Sequence, residues 1–139
     1  MQVTAKQFEI WTSERSYRFK EDAFQNHAPQ TPGIYQLVTF DEQQTPRVVY
    51  MALAEKESIF DALYAHFRGE REPTMEMLLS RYPNLYFSYV VDSNAQGPED
   101  MKDLFWAMVQ ADKPIEPNPA TVTNTGRYTE ITVKDKSIL

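Results

Sequence analysis

Apolar side chains recur along this chain in two rhythms, and together they divide it into strands and helices. From Gly33 to Phe40 the run GIYQLVTF is dense in β-branched and aromatic residues, and so is Arg47 to Ala54 (RVVYMALA). The polar stretch Asp41 to Pro46 joins the two runs, which predicts an antiparallel hairpin. Ser58, with Asp61 three residues later, is a capping signature ahead of the apolar stripe Ile59, Phe60, Leu63 and Phe67, and Gly69 ends that helix. A shorter helix is predicted over Thr74 to Tyr82, stopped by Pro83, and Leu85 to Asp92 (LYFSYVVD) reads as a third central strand.

Gly97-Pro98 opens a further helix, with Glu99 and Asp100 at its positive end. Met101, Leu104, Phe105, Met108 and Val109 form its apolar face at helical spacing. Pro114, Pro117 and Pro119 then break the chain, and the alternating Tyr128 to Val133 predicts a late edge strand. Near the start, Phe8, Trp11, Tyr17 and Phe19 are spaced aromatics that suit a strand pair or an extended cover, and Pro29 and Pro32 punctuate the chain before Gly33.

This order predicts an α+β (α/β) fold: a small, mainly antiparallel central sheet flanked by helices, as one domain over 1–139. A chain of 139 residues is long enough for a core without covalent staples, and an aromatic content of 13% makes Tyr and Phe burial the main source of core energy. The absence of cysteine removes disulfides, thiolate zinc sites and thiol nucleophiles. No signal peptide or membrane span is legible, so no membrane partner is expected and a cytoplasmic location is the default. The net charge of −6 disfavours nucleic acid as a partner, because phosphate binding normally draws on clustered Lys and Arg. The one basic group, Arg15, Arg18 and Lys20, is flanked by Glu14, Glu21 and Asp22 and reads as a solvated surface.

Gly33-Ile34-Tyr35, a strand and loop, Val49-Tyr50-Met51-Ala52, and then a helix reaching Ala62-Leu63-Tyr64-Ala65-His66 follow one another in this chain. This order resembles the GIY-YIG endonuclease superfamily. The strand around Phe87 to Val91 and the Pro114 to Asn118 stretch fit the same layout, so the resemblance covers about 32–118. An N-terminal aromatic extension and a C-terminal tail lie outside it. The resemblance implies that Tyr35 and Tyr50 stand where the family's tyrosines serve the water and phosphate end of the reaction. Gly33 and His66 are the matching binding positions, and Ala52 replaces the glycine that closes the second motif.

The resemblance also implies what is missing. The family's phosphate-binding arginine falls at Ala62, counted forward from Ile59 or back from His66, and its metal-holding glutamate falls at Phe105, counted back from Pro114. Both charges are gone. An arginine that stabilises a phosphoryl transition state contributes on the order of 10³ to 10⁵ in rate, so the expectation is a pseudo-nuclease. Among neighbours, Arg68 lies roughly 240° round the helix from Ala62, Asp103 is expected to face solvent, and Glu99 sits in the first turn of its helix.

The hairpin register supplies a check that needs no family. If Phe40 faces Arg47, then Tyr35 opposes Ala52 and Tyr50 opposes Leu37, and both tyrosines project from one face into a common cleft. The plainer readings stand beside these. Tyr35 and Tyr50 read in the first place as half-buried sheet residues, His66 as a packing residue or a donor to helix-end carbonyls, and Phe105 as core. Glu70, Glu72 and Glu76 suit a solvated surface better than a metal site.

Two functions follow from the sequence. The leading one is a non-catalytic GIY-YIG-like module that binds or interacts, with no cofactor, an unidentified protein partner and residual nucleic-acid association as the less favoured partner. The alternative is a Mg- or Mn-dependent endonuclease that uses Tyr35 and Tyr50 with a displaced acid such as Asp103 or Glu99.

Overall fold

The computed structural model describes residues 4–116 and 122–137. Its order is β1 (Ala5–Thr12), β2 (Tyr17–Arg18), α1 (Glu21–His27), β3 (Gly33–Phe40), β4 (Pro46–Ala54), α2 (Ile59–Phe67), α3 (Met75–Arg81), β5 (Leu85–Ser93), α4 (Gly97–Asp112) and β6 (Glu130–Asp135). The strands form one six-stranded sheet in the order β4-β3-β5-β1-β6, with β2 paired to β5. Every pairing is antiparallel except β1 with β6. The fold is therefore α+β with a mainly antiparallel sheet, as its alternation of apolar runs implies. Among the described residues no helix is long and apolar enough to cross a membrane. Pro117, Asn118 and Pro119, part of the stretch expected to follow the last helix, lie outside the described residues.

Two apolar clusters sit on the two sides of this sheet. In one, Tyr35, Leu37, Tyr50 and Phe87 pack against Phe24 of α1, Ala62 and Leu63 of α2, and Leu78 of α3. In the other, Phe8, Ile10, Ile34 and Met51 pack against Leu104, Phe105 and Met108 of α4. Side chains alternate along a strand, so Ile34 and Tyr35, one residue apart, feed opposite clusters. The first cluster is largely aromatic: Phe24 meets Tyr64 and Phe67 edge-on at centroid distances of 5.4 and 5.6 Å.

The cap residues act as their types suggest. Ser58 Oγ accepts from the Asp61 amide at 3.0 Å to start α2, and Thr74 starts α3 in the same way. Gly69, at φ 76°, turns the chain out of α2 with its amide on the His66 carbonyl. Gly33 serves close approach: a Cβ there would stand 3.2 Å from Ile59 Cδ1, so any larger residue at the start of β3 requires Ile59 to shift by a few tenths of an ångström. Gly33→Ala is expected to cost about 1 kcal/mol in a urea denaturation curve, and an unchanged midpoint would show that Ile59 has room to give way.

Three local departures from the sequence expectation have physical causes. Helix α1 precedes Pro29 where none is expected; it has no side-chain cap, and Phe24 is its one buried residue, with Gln25 on the Tyr64 hydroxyl and His27 stacked on Tyr17 adding to its hold. Strands β1 and β2 pair with β5 and not with each other, and β1 lies between β5 and β6. The N-terminal segment is thus built into the sheet, and is not an extension outside it. Finally, Phe40 faces Pro46 and not Arg47, because Val49 is an extra residue bulged out of the β3–β4 ladder.

The free edge of β4 is partly covered. After α4 the chain returns along it, with the Ile115 and Glu116 amides on the Val48 and Val49 carbonyls at 3.0 and 2.8 Å. Glu116 is fixed there by Arg81 Nη1 at 2.8 Å and by the Tyr82 hydroxyl at 2.9 Å. Covering an edge in this way hides unpaired backbone groups that would otherwise template strand association.

Candidate functional site

The bulge lies on the loop side of the tyrosine pairs and leaves them undisturbed. Tyr35 opposes Ala52 and Tyr50 opposes Leu37, as the register check requires, and both tyrosines belong to the cluster beneath α2. They do not line an open cleft. Tyr35 is 1% exposed, Tyr50 5%, and His66, which α2 aims at them, 0%.

The polar atoms of Tyr35 and His66 are matched, whereas the Tyr50 hydroxyl has no hydrogen-bond partner among the described residues. His66 Nδ1 lies 3.0 Å from the Pro73 carbonyl, which can only accept, so that nitrogen carries the imidazole proton. His66 Nε2 is then the acceptor, and the Tyr35 hydroxyl donates to it at 2.8 Å. The Tyr50 ring meets the same imidazole edge-on at a centroid distance of 5.4 Å. Burial pushes the His66 pKa down to about 4; the Pro73 carbonyl opposes that shift and the Arg71 charge adds to it. Burial is also the main influence that raises both tyrosines, against the pull of Arg71. At neutral pH the group therefore holds a neutral imidazole and two protonated phenols.

Arg71 is the residue that sequence reasoning misses. Its guanidinium forms a two-pronged ion pair with Glu57, through Nη1 to Oε1 and through Nη2 to Oε2, the latter at 3.1 Å. The pair is about one-third exposed, and its positive charge is felt at Tyr35, Tyr50 and His66. Glu57 precedes α2 and Arg71 follows it, so only the return of the chain after Gly69 lets them meet. No spacing rule within a helix signals such a contact.

The two positions that the resemblance assigns to family charges carry none. Ala62 is fully buried in the tyrosine cluster, whereas Phe105 packs in the other cluster with Ile34 and Met51. Arg68 stacks over the Tyr64 ring at 4.7 Å, away from the tyrosine pair. Glu70, Glu72 and Glu76 are exposed. Among the described residues no three His, Asp or Glu side chains converge as a metal set.

Asp103 corrects the expectation that it faces solvent: it is fully buried. Its Oδ1 accepts from the Thr125 amide at 2.7 Å, and its Oδ2 accepts from Thr125 Oγ1 at 2.8 Å and Arg127 Nη2 at 2.9 Å. Arg127 also donates to Asp100 Oδ1 at 2.7 Å and lies 3.6 Å from the exposed Glu99. These acids fasten the segment that leads into β6 onto α4. Each carboxylate proposed as a displaced metal ligand is already engaged by this one guanidinium.

No family model matches the chain, and neither a curated protein nor a solved structure matches it.

Proposed function

We propose that this chain is a non-catalytic, GIY-YIG-like domain that acts as a binding or interaction module in the cytoplasm, with a protein partner. One observation carries this reading: the Tyr35 hydroxyl, the atom the family would present to water or phosphate, is buried and donated to His66 Nε2 at 2.8 Å. A phenol that solvent does not reach and whose proton is already committed cannot position a nucleophile without unpacking the sheet. The apolar side chains of Ala62 and Phe105 support the same reading, since phosphoryl chemistry needs a cation on the phosphate and hard oxygen ligands for a metal. The net charge of −6 argues against retained grip on a nucleic-acid backbone.

A metal-dependent endonuclease with displaced residues is the second reading, favoured by the Arg71 guanidinium, which acts on both tyrosines. Against it, Arg71 is held by Glu57, and Asp103 spends both oxygens on Thr125 and Arg127. Supercoiled plasmid incubated with the full chain and Mn²⁺ or Mg²⁺ decides between the two. The expected outcome is no nicking above the buffer rate. Nicking that disappears in Tyr35→Phe would make the domain an enzyme.

A further inference from the structure

On the α4 side of the sheet, away from the tyrosines, lies a recess of about 500 Å³. That is within the ordinary range for small-molecule sites. Its floor and one wall are apolar, from Val38 and Val48 of the hairpin and Met108 of α4. Two polar residues interrupt the floor. Gln36 Nε2 donates to Ser88 Oγ at 2.8 Å, and Ser88 is only 5% exposed. No hydrogen bond among the described residues uses the Ser88 proton or the Gln36 carbonyl oxygen, so a donor and an acceptor are left facing the recess.

The rim carries the charge. Asp112, from the last turn of α4, and Asp135, from the end of β6, line one side. Glu14 and Arg15, in the turn between β1 and β2, also line it. Three carboxylates against one guanidinium leave the mouth negative, and none of the four is ion-paired among the described residues. Partial withdrawal from solvent, and then the charge of Asp135, raise the Asp112 pKa, as expected of two like charges sharing a wall without a cation.

The geometry points to a binding site for a small protonated amine on an apolar, preferably aromatic, body: the ammonium lies between Asp112 and Asp135, the body on Val38, Val48 and Met108, and a terminal hydroxyl against Ser88 and Gln36. The site lies outside the region the tyrosine motif would use, and it gives the proposed binding module a ligand class. It does not depend on the absence of nuclease activity, so the nicking assay and the amine titration fail independently.

Calorimetric and NMR titrations of the full chain test the site with four probes that dissect it. Tyramine carries both polar ends, 2-phenylethylamine lacks the hydroxyl, 4-methylphenol lacks the amine, and 4-hydroxyphenylacetate reverses the charge. Tyramine is expected to bind saturably, about fivefold more tightly than 2-phenylethylamine, and at least about tenfold more tightly than the other two. Asp112→Asn combined with Asp135→Asn, both rim changes, is expected to weaken tyramine about tenfold with the melting temperature unchanged. Ser88→Ala should erase the preference for tyramine over 2-phenylethylamine. No saturation by about 10 mM, a concentration at which even millimolar affinity shows, would overturn the site. So would equal binding of the anionic probe, or unchanged affinity in the double Asn variant.

Discussion

Replacing Asp103 with alanine is expected to lower stability by about 3 kcal/mol and to loosen the C-terminal strand more than the rest of the sheet. The carboxylate is fully buried and accepts three hydrogen bonds, two from Thr125 and one from Arg127. Its removal strands the Thr125 amide and leaves Arg127 with Asp100 and the exposed Glu99 as its remaining acidic partners. The cost sits at the low end for a broken buried pair because Arg127 is itself 37% exposed and regains water. Burial alone would raise the Asp103 pKa, but Thr125 and Arg127 outweigh burial and hold it below the ordinary carboxylate value, and Asp100 behaves likewise. A depressed carboxylate stabilises the fold above its unfolded pKa, near 4, and that stability is lost as pH falls through the lower folded value. Native-state hydrogen exchange of Asp103→Ala should show the β6 amides losing protection first. Uniform loss, or none, would mean that the α4 latch does not hold this strand.

The second large effect is acid sensitivity set by His66. Its pKa falls from 6.5 in the unfolded chain to about 4 in the fold, so between these values the unfolded chain binds the extra proton. Stability therefore falls as pH falls across that window, by about 3 kcal/mol in all. The sign follows from burial: a second imidazole proton would place a charge inside an apolar cluster and force the Tyr35 hydroxyl to turn from donor to acceptor. Urea denaturation at intervals from pH 7 to pH 4 measures the slope, and His66→Gln, which keeps a donor and an acceptor but does not titrate, should flatten it. A wild-type curve that is level across this range would place the His66 proton elsewhere.

Much of the frame is legible in the sequence because its signals are local. The hairpin register needs only alternation and a loop, and Tyr35 and Tyr50 come out on one face despite the bulge at Val49. Ser58 and Thr74 cap the helices that their positions announce. The apolar stripe of α4 is correct as far as it goes: Leu104, Phe105 and Met108 are core. What the stripe hides is a second buried face, Asp100, Asp103 and Ala107, created when the segment around Thr125 and Arg127 folds over it. Two carboxylates in a helix look solvated until a guanidinium more than twenty residues downstream arrives.

The same limit accounts for the other misses. Nothing near Glu57 or Arg71 announces that they meet. Nothing in the β1 run says that it lies between β5 and β6, the latter reached from the far end of the chain. The depth of the tyrosine pair is also a tertiary fact, since alternation gives a residue's face but not what is packed upon it. A cleft inferred from register thus proves to be a filled core, with its hydroxyl chemistry turned inward.

The most direct measurement is the ¹⁵N chemical shift of the His66 ring nitrogens, with the Tyr35 hydroxyl proton, followed from pH 7 to pH 4. A buried, committed tyrosine predicts one neutral tautomer, protonated at Nδ1, persisting until the pH nears 4, and a Tyr35 proton that exchanges slowly with water. A His66 that titrates near 6.5 beside a rapidly exchanging Tyr35 hydroxyl would contradict it, and would return that pair to the surface where catalysis is open to it.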